Sequence, residues 1–277
     1  MRLRSKQRWL NLKTPILMGV LNVTPDSFSD GGRFNRLDTA LFQAEKLWQA
    51  GATFVDVGGE STRPNAALVS ESEELDRVLP VLEALKSRFD GWVSVDTRKA
   101  SVMRAAIAAG CDLINDVQAL QGEGCLEAVA ESEVAVCLMH MQGQPQTMQA
   151  APCYENVVAE VAAFLRQRQA ACERAGIDKA RICLDPGFGF GKTLAHNLQL
   201  LKGLSDFPAL GLERPLLVGL SRKSMFQQLL GLPVEQRLVP SVAAALLAAQ
   251  AGAKIIRCHD VQETQQVLDL WQAVRVS

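Results

Sequence analysis

Eight short runs dominated by Val, Ile and Leu, at 16–23, 52–58, 92–97, 112–117, 135–140, 181–186, 215–221 and 254–259, alternate along the whole chain with longer segments of helical period. No other feature restricts the fold as much. Examples of the helical segments are 37–50, 72–88, 100–109, 154–175 and 237–251, and the first and last of these stop just before a glycine. The strand runs are apolar throughout and do not alternate, as strands buried on both faces should be. An open doubly wound sheet would share that trait. The count of eight, with no Pro/Gly/Ser-rich linker and no shift in composition to divide the chain, favours closure. The expectation is an α/β protein forming a single (β/α)8 TIM barrel, one domain over residues 1–277.

Composition agrees with that and excludes several function classes. At 48% hydrophobic and 21% charged, 277 residues can bury a stable core, and disorder is excluded as the main state. The 29 Lys plus Arg nearly cancel the 30 Asp plus Glu, so nothing draws the chain to nucleic acid or an anionic membrane. Seven cysteines form no C-x-x-C pair and sit mostly in apolar runs, as in Val136-Cys137-Leu138, so they read as reduced core thiols. Arg2, Arg4, Lys6 and Arg8 precede an apolar stretch in the manner of a secretory signal, but no small-residue cleavage site follows and Thr24-Pro25-Asp26 reads as a turn. The longest apolar helical-looking run, 242–249, is far below the roughly 18 to 20 residues of a membrane span. The expectation is a cytoplasmic protein.

In a barrel of this kind the βα loops open on one face, so reactive groups come from the C-terminal ends of the strands. Those ends carry Asn22, Asp56, Asp96, Asn115, His140, Asp185, then Ser221 with Arg222 and Lys223, and last Arg257 with His259. Any one Asp or Asn could merely start a turn or cap a helix. Polar groups at all eight ends point instead to a lined pocket. Asp56, Asp96, Asn115 and Asp185 form an acceptor-rich wall suited to a ligand with several N–H donors or developing positive charge. Arg63, Arg222, Lys223, Arg257 and His259 form a cationic side, where barrels commonly hold phosphate. The expected ligand is a donor-rich polar ring joined to an anionic group.

Other chemistries fit less well. Pro186-Gly187-Phe188-Gly189-Phe190-Gly191-Lys192-Thr193 resembles a P-loop, yet Pro186 replaces its first glycine and two phenylalanines fill the cradle. A hinged active-site loop with aromatic walls is the better reading. A zinc hydrolase would need more than His140, His196 and His259, and His196 reads as a helix-start residue outside the site. A hard cation held mainly by substrate phosphate remains compatible, with Asn22 as a candidate contact.

Met18-Gly19-Val20-Leu21-Asn22-Val23-Thr24-Pro25-Asp26-Ser27-Phe28-Ser29-Asp30-Gly31-Gly32 and Asp56-Val57-Gly58-Gly59-Glu60-Ser61-Thr62-Arg63-Pro64 resemble the two signature segments of the dihydropteroate synthase family. The likeness continues through Ser94-Val95-Asp96-Thr97, Ile114-Asn115-Asp116, Leu138-Met139-His140-Met141, the run from Leu184 to Lys192, Gly219-Leu220-Ser221-Arg222-Lys223-Ser224 and Ile256-Arg257-Cys258-His259-Asp260. It spans nearly the whole chain in order.

The resemblance implies a (β/α)8 barrel that joins 6-hydroxymethyl-7,8-dihydropterin diphosphate to p-aminobenzoate in folate biosynthesis, using Mg2+ and usually acting as a homodimer, with sulfonamides competing for the arylamine site. Carried over by position, Asp96, Asn115, Asp185 and Lys223 hold the pterin and Met139 packs on its face. Thr62, Arg257 and His259 grip the diphosphate, with Asn22 on magnesium, while Phe28, Thr62, Arg63, Pro64, Phe190 and Ser221 frame p-aminobenzoate. Asp96, Asp185, Lys223, Arg257 and His259 form the catalytic set, working by a dissociative displacement with no covalent enzyme intermediate. Two residues depart from the usual pattern: Arg98 after Asp96-Thr97, and Pro240 near the last helix start. The rivals at this stage are a non-catalytic pterin-binding paralogue and a folate-dependent methyltransferase barrel.

Overall fold

The computed structural model describes residues 1–24, 33–61, 68–144 and 147–276, and at 33–36 the backbone alone. An antiparallel hairpin, β1 (Arg2–Ser5) and β2 (Arg8–Asn11), comes first. Eight parallel strands follow: β3 (Ile16–Asn22), β4 (Ala52–Gly58), β5 (Trp92–Asp96), β6 (Leu113–Asp116), β7 (Ala135–Met139), β8 (Ile182–Asp185), β9 (Leu217–Val218) and β10 (Ile255–Cys258). They lie in the order β8-β7-β6-β5-β4-β3-β10-β9, and a parallel Leu184–Leu216 bridge joins β8 to the lead-in of β9 and shuts the cylinder. The helices are α1 (Arg33–Gln49), α2 (Glu71–Arg88), α3 (Ala100–Ala108), α4 (Cys125–Ala130), α5 (Val157–Arg174), α6 (Leu194–Lys202), α7 (Met225–Leu230), α8 (Leu238–Gln250) and α9 (Val261–Val276). The (β/α)8 expectation is correct.

The strands are buried and apolar on both faces at their base, as their unbroken apolar runs suggest. Each divides its side chains between two separate apolar cores. Leu17, Val55, Val93, Ile114, Val136, Leu184, Val218 and Ile256 pack outward among the helices. Met18, Phe54, Trp92, Leu113, Cys137, Cys183, Leu217 and Ile255, one from every strand, pack together in a second cluster, which is the barrel interior. Both faces are apolar at this level, so a hydropathy pattern cannot tell them apart. Two residues further along the inward face come Asp56, Ser94, Asn115, Met139, Asp185 and Arg257. Side chains on a strand alternate faces, so these line the cavity above the apolar floor.

The hairpin closes the opposite mouth. Leu3 and Leu12 are fully buried in the interior cluster, and the Ser5 hydroxyl donates to the Asp112 carbonyl just before β6 (2.5 Å). The charged groups around that end are taken up in ion pairs, Arg8 and Lys86 with Asp112 and Arg4 with Glu133 and Asp178, while the polar strand ends line the C-terminal rim, where barrels of this kind carry their sites. Strand β9 is far shorter than the expected 215–221, because Pro215 has no N–H to donate and the chain turns off at Gly219 toward Arg222, which is left-handed (φ 56°). Pro240 sits in the first turn of α8, where the amide would lack a helical partner in any case.

Candidate active site

Arg257 is the hub of the rim. Its Nε donates to Asp56 Oδ2 (2.7 Å) and its Nη2 to Asp96 Oδ2 (3.0 Å), while Asn115 Nδ2 reaches the same Asp56 oxygen (3.2 Å). Asp56 lies one inward layer below Asp96, because β4 and β5 pair Asp56 with Ser94 and Gly58 with Asp96. It is fully buried, and its Oδ1 has no hydrogen-bond partner among the described residues. The expected separation into an acceptor wall and a cationic wall is therefore corrected at Arg257: the long guanidinium reaches across to both carboxylates. A bidentate fork suits that bridge, where a lysine would satisfy only one side.

Burial sets the charge states. It pushes Asp96 up to about 7, with the Asp56 charge adding and Arg257 opposing. It likewise pushes Asp185 up to about 6 against the Gly187 N–H and the Lys223 and Lys192 charges. Burial works against the charge of Arg257, but Asp56 and Asp96 more than offset it and hold the guanidinium above its ordinary value. His259 goes the other way, driven down to about 3 by burial and then by Arg257 and Arg222, so its imidazole is neutral at physiological pH. The Ser221 hydroxyl lies 2.9 Å from His259 Nδ1 and accepts from the His259 amide (3.1 Å). A serine that accepts from the amide can donate to Nδ1, and that assignment leaves Nε2–H as the outward donor. His259 thus presents a neutral hydrogen-bond donor to the rim, which revises its place among the cations.

Asp185 ends β8, and its Oδ1 accepts from the Gly187 N–H (2.7 Å). Its neighbour in register, Met139, is buried at the end of β7. Lys223 places its ammonium 4.4 Å over the Phe190 ring. Asn22, Gly58 and Asp96 form one row across β3, β4 and β5, and a Cβ on Gly58 would lie 3.7 Å from Asn22 Oδ1 and 3.7 Å from Asp96 Cβ. The Asn22 carboxamide oxygen at this row is a hard ligand of the kind a divalent cation takes. Among the described residues no cluster of three His, Cys, Asp or Glu could hold a metal without a ligand's help. Of the expected site, Asn22, Asp96, Asn115, Met139, Asp185, Phe190, Ser221, Lys223, Arg257 and His259 come together at this rim. Phe28, Thr62, Arg63 and Pro64 lie outside the described residues.

Several expectations change. Arg222 faces Asp260, its Nε 3.1 Å from Oδ2, so it is spent on an ion pair and does not line the phosphate side. Phe188 is buried in the outer core, leaving Phe190 as the only aromatic of that loop at the rim. His140 is buried beneath the loop beside Lys192. Arg98 donates from Nε and Nη2 to Glu60 (3.3 Å each), which also accepts from the Val69 amide (3.3 Å). His196 is the expected helix-start residue, closing a capping box with Thr193 on α6. Sequence reasoning passed over Lys192 and Ser241, because a lysine after a glycine run and a serine in an alanine-rich helix both look ordinary. The one available signal was their place beside strand-end motifs.

The family model described as pterin binding enzyme matches residues 18–259. The chain is 56% identical to the dihydropteroate synthase of Haemophilus influenzae over 273 residues, 99% of this chain and 98% of that one. It is similar to the crystal structure of Yersinia pestis dihydropteroate synthase with a sulfonamide drug, with a TM-score of 0.94, 54% identity and full coverage of both chains. It is also similar to the Xanthomonas albilineans dihydropteroate synthase in complex with 7,8-dihydropteroate, with a TM-score of 0.90, 49% identity and full coverage of both.

Proposed function

The chain belongs to the pterin-binding enzymes and, among them, to the dihydropteroate synthase family, and from that premise we propose the division of labour at its rim. The reaction is the transferase step of folate biosynthesis: the diphosphate leaves 6-hydroxymethyl-7,8-dihydropterin, and the amine of p-aminobenzoate takes its place to give 7,8-dihydropteroate and pyrophosphate. The observation that carries the assignment of roles is the Arg257 bridge to Asp56 and Asp96, which sets fixed negative charge beside a guanidinium within one small cavity.

Asp96, Asn115 and Asp185 receive the amino and ring N–H groups of the pterin, Lys223 meets its ring acceptors, and Met139 packs on its face. Breaking the C–O bond leaves a methylene cation conjugated with the ring. Fixed carboxylates at Asp96 and Asp185 stabilise that cation where it develops, which lowers the barrier more than it tightens ground-state binding. Arg257, neutral His259 through Nε2–H, and Thr62 hold the departing diphosphate. Bound at Asn22, a magnesium ion would supply further charge neutralisation on the leaving group. The arylamine, framed by Phe28, Thr62, Arg63, Pro64, Phe190 and Ser221, attacks a strong electrophile and needs little base assistance. The displacement is dissociative, without a covalent enzyme intermediate, and sulfonamides compete for the arylamine position.

Two further parts of the reading concern setting. The chain forms a homodimer, supported by the apolar residues left exposed on α7 and α8: Leu229, Leu230, Val239 and Leu247. It works in the cytoplasm, supported by seven free cysteines, six of them buried, and no helix of the described residues is long and apolar enough to cross a membrane. A non-catalytic pterin-binding paralogue and a methyltransferase barrel have less support, since neither calls for the diphosphate grip together with the arylamine frame. The deciding assay mixes purified protein with the pterin diphosphate, p-aminobenzoate and magnesium. Pyrophosphate should appear only with all three present, and release without the arylamine would show uncoupled hydrolysis instead.

A further inference from the structure

Lys192 is 3% exposed, and its three N–H donors meet three acceptors: the Gly187 carbonyl at 2.8 Å, the Phe190 carbonyl at 3.0 Å and His140 Nδ1 at 2.9 Å. The roles described so far leave it unused. We infer that Lys192 is a positioning residue, which clasps the loop after β8 onto the end of β7 and thereby fixes Phe190 at the arylamine position. The inference rests on the proposed function, because it needs Phe190 to border p-aminobenzoate.

The clasp follows from the count of donors and acceptors. An ammonium has three donors and no acceptor, so three carbonyl or imidazole partners match it fully. His140 must then accept at Nδ1 and carry its proton on Nε2, as befits an imidazole that burial drives down to about 3. The clasped loop has left-handed glycines at 187, 189 and 191, and a Cβ on Gly187 or Gly191 would run into the carbonyl oxygen of His140 or Gln142. Loop and strand end are thus in backbone contact at two places, with Lys192 pinned between them. Asn197 holds the far side, accepting from the Gly189 amide (2.7 Å) and donating to the Thr193 carbonyl (2.7 Å), and the Tyr154 hydroxyl donates to the Gly191 carbonyl (2.8 Å). Phe190 is the member that faces the rim. Its carbonyl is one Lys192 acceptor, and its ring lies under the Lys223 ammonium.

A purely stabilising role does not explain a lysine here. Burying a charge is costly even when it is fully paired, and an apolar residue of similar volume is often as stable or more so. That makes Lys192→Met a usable probe. The expected result is that KM for p-aminobenzoate rises about tenfold, while kcat and the affinity for the pterin diphosphate stay within about threefold. His140→Leu, which removes one acceptor, should move KM the same way, and His140→Asn, whose Oδ1 can stand where Nδ1 stood, should bring it back toward the wild-type value. If Lys192→Met does not fold, the contrast between the two His140 variants decides. An unmoved arylamine KM in the folded variants of an active enzyme overturns this inference alone, as does a loss confined to kcat. A wild-type protein with no turnover overturns it together with the reading it rests on.

Discussion

Asp185 and Asp96, raised mainly by burial to about 6 and about 7, change charge within the range where the enzyme is assayed. Both must be ionised to accept N–H donors from the pterin and to face a developing cation. In the free enzyme kcat/KM for the pterin diphosphate should therefore climb with pH through 6 and 7 and level off above. Asp96→Asn removes the upper step and the fixed charge, so kcat should fall about a hundredfold while pterin affinity changes far less. A profile and turnover unchanged by that substitution would remove Asp96 from the mechanism. Stability should run the opposite way. A carboxyl whose folded pKa is above its ordinary value of 3.8 contributes stability that is fully present below about pH 4 and is lost as pH rises through 6 and 7. The urea midpoint should fall between about pH 4 and 7 and level off above, and it should fall less in Asp96→Asn. The identity of these groups was legible from strand-end position. Their pairing was not, because whether Arg257 faces phosphate or bridges two carboxylates depends on side-chain reach, which spacing does not encode.

At the scale of elements, the helices α1, α2, α3, α5 and α8 and seven of the eight barrel strands follow from period and punctuation, while the short pieces escape and α6 and the 16-residue α9 go unnamed. The helices α4 and α7 have six residues each, too few for the 3.6 period to show over a background of apolar residues. The hairpin β1–β2 was legible only as a charged lead-in to an apolar stretch, because its turn holds Lys6 in a left-handed conformation (φ 55°) with no Gly, Asn or Pro to announce it. Its worth is in packing. Leu3 is fully buried against the interior cluster at the end of the barrel away from the site, so Leu3→Ala should cost about 2–5 kcal/mol of stability in urea titration. Both KM values should stay at the wild-type level below the unfolding transition. A variant as stable as wild type would mean that the hairpin does not seal the barrel, and altered KM values would mean that the two mouths are coupled.

The whole molecule was legible to the extent that its two apolar cores share strands: eight runs buried on both faces, joined by helices, leave few arrangements besides a closed cylinder. The proposed homodimer is written more faintly. The helix α8 carries Val239 at 76% and Leu247 at 53% exposure, eight residues and so about two turns apart on one side of the helix, with Leu229 and Leu230 half exposed on α7. The other side of α8 serves the site: the Ser241 hydroxyl accepts from the Arg222 amide (2.8 Å), and Arg237, just before the helix, donates to the Arg222 carbonyl (3.1 Å). Those contacts hold Arg222 in its left-handed turn between Ser221 and Lys223. A homodimer covering the outer side of α8 would therefore brace the segment that presents both residues. Wild-type protein should sediment at twice its 30.1 kDa chain mass, and Val239→Asp with Leu247→Asp should sediment as a monomer. If the brace matters, the monomeric variant loses turnover while keeping its far-ultraviolet dichroism. A wild type that sediments at the single-chain mass would sink the dimer, and a fully active monomeric variant would show that α8 holds Arg222 without a partner's help.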